Sequence, residues 1–249
     1  MIAVQLYTLR DKLQDPSRLA GVLGRLREIG YGAVEVAGLG PAAQERFGAE
    51  LARNEMVACA VHVSLQRLLG DLDAVAAECR EWGCQYAVLP SLPDEYRSRA
   101  GYRRFADEAV ELAARLRAFE LQLVYHNHSH ELERYGTQTG LELLFGATAP
   151  ETLKAELDTY WLQFGGVNPA ACIRRFNERA PLVHLKDMAV REGRPIMAEV
   201  GEGNLDWPDI LNACRDAGTE WLVVEQDESE RDPIESVAIS HANLVKLLA

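Results

Sequence analysis

Short apolar runs alternate with amphipathic stretches along the whole of this chain. The runs are Ile2–Leu6, Ala33–Val36, Val57–Val63, Tyr86–Leu89, Leu121–Tyr125, Leu153–Leu157, Leu182–Leu185 and Trp221–Val224. Each is bounded by turn-forming or polar residues, the pattern of a β-strand. Between them lie segments of helical period, among them Leu19–Ile29, Leu72–Trp82, Tyr102–Phe119, Pro169–Arg179 and Trp207–Ala217. Helix punctuation agrees. Asp15-Pro16-Ser17, Asn168-Pro169 and Asp206-Trp207-Pro208 open helices, and Ile29-Gly30 and Ala217-Gly218 close them. The runs are continuously apolar, as expected for parallel strands buried on both faces. Eight β/α units in 249 residues are the normal size of a (β/α)8 barrel. The prediction is therefore an α/β chain forming one (β/α)8 barrel domain over residues 1–249. An open doubly wound sheet is the alternative. The barrel is preferred because polar residues end nearly every run, and a barrel gathers those ends on one face.

Bulk composition narrows the function. A hydrophobic content of 48% and a mean hydropathy of -0.16 describe an ordinary globular chain. No apolar run approaches the roughly 20 residues of a membrane span, and Met1–Tyr7 reads as a strand, not as a signal peptide. The five cysteines are Cys59, Cys79, Cys84, Cys172 and Cys214. They are odd in number and form no Cys-x-x-Cys, which points to idle thiols in a reducing cytoplasm. Without a signal peptide, Asn127-His128-Ser129 is a chance glycosylation sequon. The net charge of -12 argues against a nucleic-acid partner, which needs a basic footprint. The acids are spread along helix faces, such as Glu108/Glu111 and Glu50/Glu55, and serve solubility.

The candidate chemistry sits at the strand ends. Three of the six histidines fall within Tyr125-His126-Asn127-His128-Ser129-His130-Glu131, just past an apolar run. Every buried ring nitrogen needs a partner, so this is a poor core and a good metal or proton-transfer site. The next strands end in Asp158, His184 and Glu225. Glu131 and Asp158 are 27 residues apart, Asp158 and His184 are 26, and His184 and Glu225 are 41. The extra length of the last step lies in the Gly-rich stretch Val200–Asn204. Four candidate ligands thus fall on four successive strand ends. Three carboxylates and one imidazole suit Mn2+, Mg2+, Co2+ or Zn2+. Taken singly, Asp158 could be a helix N-cap and Glu225 could pair with an arginine.

Further motifs complete the set: Gln5-Leu6-Tyr7-Thr8-Leu9-Arg10, His62, Leu157-Asp158-Thr159-Tyr160-Trp161, His184-Leu185-Lys186-Asp187 and Gly201-Glu202-Gly203. In this order and spacing the chain resembles the sugar phosphate isomerase/epimerase superfamily. These are xylose-isomerase-like TIM barrels that include ketose 3-epimerases and inosose dehydratases. The closest resemblance is to members carrying Tyr-His-Asn-His-x-x-Glu, here Tyr125–Glu131. The resemblance implies one divalent metal ion held by Glu131, Asp158, His184 and Glu225. One departure stands out. In the ketose 3-epimerases the fifth-strand glutamate lies directly at the strand end, whereas here His126 holds that place. Either Glu131 reaches back, or His126 or His128 takes its role; the oxygen-rich character favours Glu131.

The resemblance also implies the reaction: isomerisation or epimerisation of a sugar or sugar phosphate through a metal-stabilised enediolate. Glu131 and Glu225 would be the acid–base pair and Lys186 would stabilise an oxyanion. His62, His126, His128, Tyr7 and Trp161 would bind the substrate. The bland alternatives are a hydrogen-bonded core histidine at His62, an ion pair of Lys186 with Asp187 or Asp158, and simple packing for the aromatics. The same enediolate can instead eliminate a β-substituent, so a lyase or dehydratase of a keto-sugar, keto-inositol or 3-keto-glycoside is the second reading. The expected partner is a small carbohydrate, with no membrane and no nucleic acid. A homo-oligomer is compatible with the sequence but not marked by it. Three other classes are weaker. Gly38-Leu39-Gly40-Pro41-Ala42-Ala43 matches Gly-x-Gly-x-x-Ala, but it follows the second strand and the next strand ends without a ribose-binding acid. A repair nuclease on this barrel would need more metal ligands and a basic groove. A barrel that only binds sugar would not need the ligand set. For a substrate phosphate, Arg191 and Arg194 are the one candidate pair.

Overall fold

The computed structural model, which describes residues 1–249, is a closed barrel of eight parallel strands. In chain order they are β1 (Ile2–Gln5), β2 (Ala33–Val36), β3 (Val57–His62), β4 (Tyr86–Leu89), β5 (Gln122–His126), β6 (Lys154–Asp158), β7 (Leu182–Leu185) and β8 (Trp221–Val224). Each strand pairs with the next in sequence, and β1 closes on β8 through Ile2–Leu222, Ala3–Val223 and Val4–Val224. All eight predicted runs are strands, and the barrel supersedes the open sheet. The helices Leu19–Ile29 and Leu72–Trp82 match the pattern to the residue. The one opened by Asn168-Pro169 stops early, at Arg175. The chain must turn there, with Glu178 at φ 56°. Arg179 then donates to the carbonyls of Phe145, Thr148 and Leu153.

Two cores result. The larger one fills the space between strands and helices. The smaller one lies inside the barrel and includes Ala3, Ala33, Ala60, Val124, Leu182 and Val223. Successive side chains of a strand point to opposite faces. The residue two places on from each of these therefore also points inward, one layer nearer the carboxyl end. Those residues are Gln5, Glu35, His62, His126, His184 and Glu225. The period of two converts an apolar floor into a polar layer on six strands at once. A register shift between β2 and β3 falls at Val34/Glu35 and lets Cys59 bulge.

The apolar pattern did not mark one addition. After β7 an antiparallel hairpin pairs Asp187–Arg191 with Arg194–Ala198. Its two-residue turn, Glu192-Gly193, takes positive φ at both positions, 50° and 76°, as a hairpin turn of matching twist requires. Arg191 and Arg194 face each other across this turn, and Arg191 pairs with Glu230. No helix is long and apolar enough to cross a membrane.

Candidate active site

The strand ends bring His126, Asp158, His184 and Glu225 together, with one ligand atom of each within 4.8 Å of the others. His184 Nδ1 lies 2.8 Å from Glu225 Oε2 and 3.9 Å from Asp158 Oδ2. Asp158 does two jobs. Its Oδ1 caps the helix Thr159–Phe164 by accepting from the Trp161 N–H at 2.9 Å. Its Oδ2 is buried, accepts no backbone hydrogen bond, and is turned to the group, 3.0 Å from Lys186 Nζ. The Asp158 N–H donates to Asn127 Oδ1 at 3.1 Å, so the Asn of the histidine-rich motif ties β5 to β6.

Lys186 is 1% exposed, an unusual place for an ammonium. It is paired with Asp158 Oδ2 at 3.0 Å, Glu225 Oε2 at 2.8 Å and Asp227 Oδ2 at 2.8 Å. Burial opposes its charge, but these three carboxylates outweigh that and hold its pKa well above the usual lysine value. Asp187, its sequence neighbour, faces the other way. The Asp187 carboxylate accepts from the N–H groups of Met188, Gly201, Gly203 and Leu205 and from the Trp207 indole at 2.5 Å. A Cβ on Gly203 would collide with that carboxylate. The Lys-Asp and Gly-Glu-Gly motifs are thus one loop clamp, and Lys186 pairs with Asp158, not Asp187.

Glu131 is not brought into the group of Asp158, His184 and Glu225. It is fully buried and saturated by its own neighbourhood. Its Oε1 accepts from Tyr125 Oη at 2.6 Å and contacts His130 Nε2 at 2.7 Å, while its Oε2 accepts from the His128 N–H at 2.8 Å. Burial pushes its pKa up, but the His130 and Tyr125 contacts outweigh that and hold it below the usual 4.5. It forms a second potential ligand group with His128 and His130. His126 occupies the position at the end of β5.

A cavity of about 390 Å³ opens above this layer, walled by Tyr7, His62, His126, His128, Glu225 and Asp227 among others. Arg10 stacks on Tyr7 at 4.4 Å. Burial lowers the pKa of His128 to about 4 and that of His126 well below 6.5. His62 behaves oppositely: burial is outweighed by Glu35 and Glu156, and its pKa rises to about 10. Trp161 sits between His128, 5.6 Å from its ring, and Lys186, whose Nζ is 5.6 Å from it. The motif reading missed Glu35, Glu156 and Asp227. A signal existed for two of them. Glu156 is two places before Asp158, and Glu35 is two places after Ala33, so each shares an inward face.

The group of two imidazoles and two carboxylates fits a divalent ion, on the strength of a donor set typical of such centres and of the convergence of Asp158 Oδ2 and Glu225 Oε2 on His184 Nδ1. The family described as xylose isomerase-like TIM barrel matches residues 23–246. The chain belongs to this family. It is 26% identical over 154 residues to an inosose dehydratase of Lacticaseibacillus casei, a match covering 54% of this chain and about half the length of that relative. Among solved structures, a sugar phosphate isomerase/epimerase from Parabacteroides distasonis superposes with a TM-score of 0.83 at 21% identity, covering 98% of this chain and 97% of that one. An L-ribulose 3-epimerase superposes with a TM-score of 0.76 at 18% identity, covering 99% and 94%. At these identities the structural likeness speaks for the fold. These relatives and neighbours bear both dehydratase and epimerase names.

Proposed function

We propose that this chain is a divalent-metal-dependent lyase of the dehydratase type, acting on a keto-cyclitol or keto-sugar. One observation carries the choice over epimerisation: the acid–base groups on the cavity wall divide by side. Carboxylates come only from the end of β8, as Glu225 and Asp227, and imidazoles come from β3 and β5, as His62, His126 and His128. Two-base epimerisation through Glu131 and Glu225 would need a second free carboxylate, and Glu131 is closed by three donors. The inosose dehydratase relative supports the same reading.

In this proposal His126, Asp158, His184 and Glu225 hold the ion. When bound, the ion supplies Lewis acidity that makes the C–H beside a carbonyl more acidic. His128, a neutral imidazole, takes that proton. Lys186 faces the oxygen that gains negative charge, held ready by its three carboxylates. His62, whose Nε2 is tied to Glu156, has its Nδ1 free to donate to the departing hydroxyl. A C–H and a C–O bond break, a C=C bond forms, and one water leaves. Tyr7 borders the substrate, and Trp161, outside that wall, backs His128. Epimerisation remains the alternative, with Glu225 as one partner.

The test is incubation with Mn2+ and a panel of 2-keto-inositols and ketoses in D2O, read by mass spectrometry. A product lighter by one water is the expected result. C–H exchange with no loss of water would establish the epimerase reading and overturn the lyase.

A further inference from the structure

Within the polar layer, three side chains from three strands form a continuous chain of hydrogen bonds. Gln5 on β1 accepts the Tyr7 N–H through Oε1 at 3.1 Å, which fixes the orientation of its amide. Its Nε2 therefore points away and donates to Glu35 Oε2 on β2 at 2.9 Å. The same Glu35 oxygen lies 2.6 Å from His184 Nε2 on β7. Gln5, Glu35 and His184 are all fully buried.

We propose that Glu35 is a positioning residue for the metal centre: it holds the proton of His184 on Nε2 and so turns the Nδ1 lone pair toward the ion. The proposal rests on the metal-centre reading above. A neutral imidazole carries one N–H, and whichever nitrogen bears it cannot be a ligand. A carboxylate can only accept. Both ring nitrogens face a carboxylate, Nε2 that of Glu35 and Nδ1 that of Glu225 at 2.8 Å. Glu225 is itself a proposed ion ligand, so when an ion replaces the proton on Nδ1, Glu35 keeps the one on Nε2. The charge of Glu35 also raises the basicity of the ring it binds, which strengthens a metal bond.

A purely architectural role explains less. A fully buried carboxylate is costly unless its charge is matched. Gln5 alone would be as well served by a neutral acceptor, and the floor beneath is made of small apolar residues that need no acid. Glu35 Oε1 has no hydrogen-bond partner and lies 3.3 Å from His62 Nε2. Glu156 Oε2 is shared among three rings, His62 at 2.9 Å, His126 at 3.1 Å and His184 at 3.2 Å, so its hold on His184 is the longer one. Glu35 is the carboxylate tied most closely to the ring that faces the ion.

The experiment measures Zn2+ affinity by competition with a chromophoric chelator, together with the histidine-ring nitrogen NMR spectrum of the Zn2+-loaded protein. For the wild type the expected His184 signature is a protonated Nε2 and a metal-bound Nδ1. Glu35→Gln keeps the shape and removes the charge, and should weaken Zn2+ binding about 10- to 100-fold. Glu35→Asp should recover part of the loss. If Glu35→Gln fails to fold, Gln5→Met removes a donor from Glu35 and should cost a few-fold in affinity. Unchanged affinity in a folded Glu35→Gln, or unchanged affinity in Gln5→Met where that variant stands in, overturns this proposal alone, as does Zn2+ bound through Nε2. No Zn2+ uptake by the wild type overturns the metal-centre reading with it.

Discussion

Two buried carboxylate regions lie side by side at the top of this barrel, and they are built on opposite principles. Glu131, beyond β5, has both oxygens engaged, by a phenol, an imidazole and a backbone N–H. Asp158, at the end of β6, spends one oxygen on a helix cap and turns the other, buried, to the Lys186 ammonium. Glu225 is similar in kind: its contacts are His184 and Lys186, groups that a ligand can displace or share. The lesson is that burial alone does not identify a functional acid. A carboxylate whose lone pairs are all taken by its own loop holds the loop together. One that converges with others on a shared point, held there by an imidazole and an ammonium, has the arrangement the proposed ion site needs.

Substitutions can break this comparison. Glu225→Gln should have the largest effect, with ion binding lost and kcat/KM reduced by about 1000-fold, equivalent to roughly 4 kcal/mol. Its thermal melt should stay near the wild type; calorimetric titration with Mn2+ and a melting curve check both halves. Glu131→Gln should do the reverse. It weakens three buried contacts, and a loss of about 2–3 kcal/mol in stability is expected, with ion affinity within a few-fold of wild type. Urea unfolding and the same titration read this, and a collapse of ion affinity in the folded variant would return Glu131 to the ligand set.

Acid unfolding sharpens the contrast further. The Glu131 pKa in the folded chain lies below 4.5, so its contribution is present above that pH and disappears as the pH falls through the folded value. Stability measured between pH 6 and 3 should therefore fall less steeply for Glu131→Gln than for the wild type. The smallest effect belongs to Tyr125→Phe, which removes one donor from Glu131 and should cost about 1 kcal/mol, read as a shift in the urea midpoint without change in slope.

Much of the architecture could be read from local pattern. The eight apolar runs, the N-caps at Asp15, Asn168 and Asp206, and the polar residues Asp158, His184 and Glu225 closing their strands all follow from residues near in sequence. The hairpin after β7 was hidden because its strands are partly exposed and carry no sustained apolar face. Asp187 could be seen as an acid beside a lysine, but its true partners lie up to 20 residues away in a loop without period. Of the two ion pairs open to Lys186 in the sequence, with Asp187 or Asp158, the structure forms the one with Asp158, while Asp227 enters only because the chain leaves β8 toward the same point.

By itself, then, the sequence determined the number of barrel strands, their order and the identity of the residues that end them. Periodicity is local and survives without the rest of the molecule. The inner layer was within its reach only in part. Period two puts Glu35 with Ala33 and Glu156 with Asp158, but which face turns inward is set when β1 meets β8. Tertiary structure alone decided that Glu35 meets His184 from a position 149 residues away, and that Glu131 turns to Tyr125 and His130 instead of reaching back. Those residues lie where strand periodicity gives no orientation, either across the barrel or past a strand end, and there only packing and the demand of each buried oxygen for a donor choose the partner.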